Sequence, residues 1–126
     1  MPVTSTADPS GRFAVLTLTD PYSIEEWRRG MLDTIAGPTF LEHRTVLVDR
    51  RPTAAPTTAF VDAMIEFFSA HHSQIGNGRF AIVVHDDSGF DMARMTELKA
   101  GHDNPRMAIQ PFREYDQAVR WLRKAR

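Results

Sequence analysis

The chain has 126 residues, 42% of them hydrophobic and 25% charged, a composition typical of a soluble globular domain with room for one core and little for a second. A net charge of −1, with the arginines scattered, excludes a nucleic-acid or anionic-membrane partner held by bulk electrostatics. The lack of cysteine excludes disulfides, thiolate metal sites and cysteine nucleophiles and points to a cytoplasmic protein. No apolar run approaches the ~20 residues that span a bilayer, so no membrane insertion is expected.

Residues 1–11, with Pro2, Pro9 and Gly11, lack periodicity and the features of a signal peptide; they read as a loose lead-in to a single domain over 12–126. Phe13–Thr19 has the β-branched and apolar content of a strand, which Asp20-Pro21 ends. Ser23 and Glu26 have the spacing of a capping box, and Ile24, Trp27, Met31 and Ile35 form one stripe of a helix over Ile24–Ala36 that Gly37-Pro38 stops. Thr45–Asp49 is a second apolar strand. The prolines at 52 and 56 keep the next segment extended until Thr57 or Thr58 caps a helix over Ala59–His72. Phe60, Val61, Met64, Ile65, Phe67 and Phe68 cover more of that helix than one sheet face needs. It is either wedged between neighbours or forms a homodimer contact.

Phe80 to Val84 is an unbroken apolar run that stops at His85-Asp86-Asp87, as expected of the central strand of a parallel sheet, buried on both faces. A third helix comes next over Phe90–Ala100, capped by Asp87 or Ser88 and ended by Gly101. Met107–Gln110 is a last strand whose continuation through Pro111 suits a sheet edge. Tyr115, Ala118, Val119 and Leu122 then recur at helical spacing, ahead of a basic end of Arg120, Arg123, Lys124 and Arg126 that suits the helix dipole. The pattern is an α/β fold of four strand–helix turns, a mostly parallel sheet with helices on its faces.

The Val48-Asp49-Arg50 end of the second strand, the Ala81–Val84 run, Phe90–Met95, and an ending of Phe112-Arg113, two acidic residues, Ala118 and Trp121-Leu122 resemble the SpoIIAA-like, or STAS-type, bacterial domains, over residues 12–124. The resemblance implies a non-enzymatic regulatory or interaction module in signalling, with a protein partner and no cofactor. In the best-understood relatives a serine at the start of the helix after the second core strand is phosphorylated, and the phosphate breaks the partner complex. The matching positions are Thr57 and Thr58, although Ala55-Pro56 stands where relatives carry a motif such as Asp-Ser-Ser-Gly.

Strand tips at the carboxyl end of such a sheet deliver ligand-facing residues. Asp20, Asp49, Asp86 and Asp87 close three strands here and, with His85, would suit a divalent cation; equally, they serve as caps and turn openers. Arg50 and Arg51, ahead of a helix start, suit an anion. With His85, Asp86, Phe90 and Met92 they define an alternative, a rim that binds a small apolar or anionic ligand. No catalytic or metal centre is expected. Ser88 lacks the setting of an activated nucleophile, adjacent His71-His72 point apart on a helix, no glycine-rich phosphate loop comes after a strand, and neither Lys99 nor Lys124 lies at a strand tip as a phospho-aspartate site requires.

Overall fold

The structure is a computed structural model that describes residues 2–124; Met1, Ala125 and Arg126 lie outside the described residues. It is a five-stranded sheet in the order β1 (Val3–Ala7), β2 (Ala14–Leu18), β3 (Thr45–Asp49), β4 (Arg79–Val83), β5 (Ala108–Phe112). β1 is antiparallel to β2, and the remaining four are parallel in a register that aligns Ala14, Val46, Phe80 and Ile109. The helices are α1 (Ile24–Ala36), α2 (Pro38–His43), α3 (Thr58–Ala70), α4 (His72–Ile75), α5 (Asp87–Asp103) and α6 (Tyr115–Arg123). Each of β2 to β5 leads into one long helix, which gives the four strand–helix turns.

Alternation along the strands divides the interior in two. Leu16, Val46, Val48, Phe80, Ile82 and Ile109 meet α1, α3 and α5 in the larger core, while Leu47, Ala81, Val83 and Phe112 meet Ala118 and Leu122 of α6 in the smaller one. The unbroken apolar runs of β3 and β4 result from this, because both faces are covered.

Residues 2–11 are not loose. Val3–Ala7 pairs along its whole length with β2, and Asp8 to Gly11 turn the chain, with Gly11 at φ 72° and its N–H donated to the Asp8 carbonyl at 2.7 Å. The strand has little apolar signal because it is an exposed edge; what holds it is Val3 against Gly30 and a 2.7 Å bond between the Ser5 and Thr34 hydroxyls. With β1 added, β3 rather than β4 is the middle strand.

The bounds of α1 are as expected, while α2, α3 and α5 depart from expectation. Gly37 ends α1, but Pro38 opens α2, where a first-turn residue needs no N–H. Gly101 lies inside α5, which begins at Asp87 because Asp86 is the cap, its Oδ1 accepting from Gly89 N–H at 2.8 Å. α3 stops at Ala70, and His72–Ile75 is a separate turn.

The broad apolar surface of α3 is a wedge. Trp27 of α1 meets Phe67 and Phe68 edge-on at 5.2 and 5.7 Å, Lys99 of α5 reaches Asp62 on the other side at 2.6 Å, and Val61, Met64 and Ile65 are buried. Phe60 packs on Tyr22 at 5.5 Å. These contacts account for the stripe within one chain, so it needs no second subunit on α3.

Gly30 is where β1 and α1 come closest: a Cβ there would stand 2.3 Å from Val3 Cγ1 and 3.1 Å from Leu16 Cδ1. Gly30→Ala should therefore lower stability by about 1–2 kcal/mol despite its better helix propensity. In a Val3→Ala background most of that loss should be recovered; urea denaturation of the double-mutant cycle measures the difference.

Candidate functional site

The carboxyl-end rim is built from the residues just past each parallel strand: Asp20 and Tyr22 after β2, Arg50–Thr58 after β3, His85 to Phe90 after β4 and Arg113 to Tyr115 after β5. Consecutive residues at a strand end point to opposite faces, which separates the two arginines. Arg50 turns toward the larger core and is 6% exposed; its Cζ lies 5.7 Å from the Tyr22 ring centroid, and Nη2 donates to the Ala54 carbonyl at 3.3 Å. Arg51 turns toward α6, where its Cζ stacks 4.7 Å from the Tyr115 ring and its guanidinium grips Asp49 with two bonds, Nε to Oδ1 at 2.9 Å and Nη2 to Oδ2 at 2.8 Å. The adjacent pair therefore does not converge on one anion.

Burial sets the electrostatics of the first cluster. It pushes the Tyr22 hydroxyl up, against the opposing influence of Arg50, and it lowers Arg50, against the pull of Tyr22 and Asp20. The phenol stays protonated and the guanidinium charged at neutral pH. Two loops close over this group. Asp20 Oδ2 accepts from Ala54 N–H at 2.7 Å, while Thr53 donates both its N–H and its hydroxyl to the Arg50 carbonyl at 3.0 Å. Beside Arg50, and lined by Trp27, Met64, Phe80, Ile82 and Ile109, is an apolar cavity of about 30 Å³.

The other rim residues are also engaged. Thr57 caps α3, its Oγ1 accepting from Phe60 N–H at 3.1 Å, and Thr58 is the exposed first residue of that helix. His85 Nε2 lies 3.3 Å from Asp86 Oδ2, with both side chains about half exposed. Asp87 pairs with Arg113, whose guanidinium sits 5.4 Å from the Phe90 ring, so Phe90 belongs to the rim. Met92, partly buried, packs against the larger core. Among the described residues no three His, Asp or Glu side chains gather closely enough to hold a metal ion, because the strand-tip carboxylates are spread along the rim on separate partners. Tyr22, Thr53 and Tyr115 do not stand out as rim residues in the sequence; the position of Tyr22, two residues past a strand-ending aspartate, is its only signal.

Fold and rim define an α/β domain on a mostly parallel sheet with a pre-bonded carboxyl-end edge. No family model matches the chain, and no curated protein does. Among solved structures it is similar to the NMR structure of the protein TM1081, with a TM-score of 0.60, 11% identity, and coverage of 96% of this chain and 88% of that one. At that identity the likeness is one of fold. Among the described residues no helix is long and apolar enough to cross a membrane.

The Asp49–Arg51 pair predicts an acid dependence. Burial alone would raise the Asp49 carboxyl, but the hydrogen bonds and charge of Arg51 outweigh it and hold the group below its ordinary 3.8. Its contribution is thus full above that value and lost as pH falls through the depressed one. Arg51→Met should cost about 1 kcal/mol at pH 7. The gap from the unsubstituted chain should narrow below about pH 4 and close once Asp49 is protonated in both, as monitored by urea denaturation at stepped pH.

Proposed function

We propose that this chain is a non-enzymatic regulatory or interaction module that presents its carboxyl-end rim to a protein partner. The observation that carries the proposal is that the rim's carboxylates and buried arginine are already bonded within the chain, while Thr57 and Thr58 stand exposed at the start of α3 on the frame they build. Such a surface favours recognition, since its shape exists before the partner arrives. The resemblance to SpoIIAA-like domains and the four strand–helix turns support the same assignment, and the cysteine-free sequence supports a cytoplasmic location.

Thr58 is the better switch position of the two. Its hydroxyl has no capping duty, and a phosphate there would face the free N–H groups of a 13-residue helix, adding up to two negative charges to the rim. A ligand-binding role would use the same outer surface: the cavity beside Arg50, at about 30 Å³, has room for a water molecule and not for a lipid-like chain.

The test is site-specific photo-cross-linking in the cells that make the protein. A photoreactive residue at position 58 should give one discrete protein adduct, and the same residue at Gln74, on the opposite end of the sheet, should not. With the photoreactive residue at exposed Ala59 instead, Thr58→Glu should reduce the adduct severalfold. Equal labelling from both positions, or no adduct from the rim, would overturn the proposal.

A further inference from the structure

The two edges of the sheet are finished differently. On β5, Ala108 donates its N–H to the Gly78 carbonyl at 2.9 Å and Phe112 accepts from Val84 at 2.9 Å, so residues 108, 110 and 112 face β4. Pro111 therefore occupies an outward position, where its missing N–H blunts the edge. On β1 nothing does so. Thr19 N–H bonds the Pro2 carbonyl at 2.8 Å and Asp8 N–H bonds the Phe13 carbonyl at 2.9 Å; with the Val3–Leu18 to Ala7–Ala14 register, residues 2, 4, 6 and 8 are the ones bonded to β2. The N–H and C=O groups of Val3, Ser5 and Ala7 consequently point away from the sheet. No proline interrupts residues 3–7, and no charge falls between residues 2 and 7.

This edge is complementary to itself. If two copies pair antiparallel about Ser5, Val3 stands opposite the partner's Ala7, Ser5 opposite the partner's Ser5, and Ala7 opposite the partner's Val3. All three positions are of the bonded kind, so every outward donor meets an outward acceptor and six backbone bonds form. The side chains of Val3 and Ser5 are held against α1, which leaves exposed Thr4 on the other face of the sheet, opposite the partner's Thr6. The uncharged strand brings no like-charge repulsion to the two-fold axis. We propose that β1 is a homodimerisation edge, through which a second copy of this chain extends the sheet to ten strands about a two-fold axis at Ser5. It lies on a different edge from the rim, so a partner and a second copy can bind together.

Sedimentation equilibrium of the full chain, carrying any tag at its carboxyl end, tests this from micromolar to millimolar concentration. The unsubstituted protein should show a concentration-dependent dimer. Thr4→Lys with Thr6→Lys, both at exposed positions, sets like charges opposite each other twice and should weaken the dimer at least about tenfold. Thr4→Lys with Thr6→Glu sets opposite charges there and should restore it. A monomer throughout the range would overturn the proposal even if a variant failed to fold. So would a dimer indifferent to the two lysine substitutions, or one that the charge pair does not rescue.

Discussion

A guanidinium taken out of water at the end of the middle strand is destabilising unless other groups face it, and Arg50 draws two loops together to meet that requirement. The loop after β2 supplies Tyr22 and places Asp20 nearby; the loop after β3 returns to supply the Ala54 carbonyl. Once Ala54 is there, its own N–H meets Asp20, and Thr53 satisfies the Arg50 carbonyl. The start of α3 is fixed as a result, with Thr57 and Thr58 displayed at a set height above the sheet. The shape of the rim is thus an outcome of one buried charge being satisfied, with the exposed side chains of Thr57 and Thr58 left outside that network.

The same strand serves both sides of the molecule. Because side chains alternate, Asp49 and Arg51 lie on the α6 side and Arg50 on the other, so a three-residue segment anchors the smaller core's mouth and the larger core's roof. The two arginines that a linear reading treats as one basic patch are therefore structural groups of separate layers. The outer ring of His85, Asp87, Arg113 and Phe90 stays closer to solvent, held by ion pairs and a ring contact at the surface.

Periodicity made the four strand–helix turns legible, since Phe80–Val84 and Thr45–Asp49 are apolar on both faces and the capping box at Ser23 marks α1 plainly. β1 was hidden for the converse reason: a strand whose residues 4–7 are exposed carries no apolar alternation, and what holds it is contact with Gly30 and Thr34, distant in sequence. Gly37-Pro38 does end α1 as its sequence indicates, but proline is also well suited to begin a helix and α2 starts there, whereas Gly101 looked like a stop although α5 carries on past it. At the site, strand-tip logic found Asp49, Arg50, Arg51 and Asp86. It could not find that Arg51 folds back on Asp49, or that Tyr22 covers Arg50, because both depend on side-chain direction across elements.

Hydrogen exchange at single amides, comparing the unsubstituted chain with Arg50→Met, tests the central role of the buried guanidinium most directly. Removing the charge should release the two loops, so exchange at Ala54 and Thr53 should accelerate by at least about tenfold while the β3 amides of Val46 to Val48 keep their protection. Unchanged protection at Ala54 would show that the rim holds its shape without Arg50, and would contradict the account.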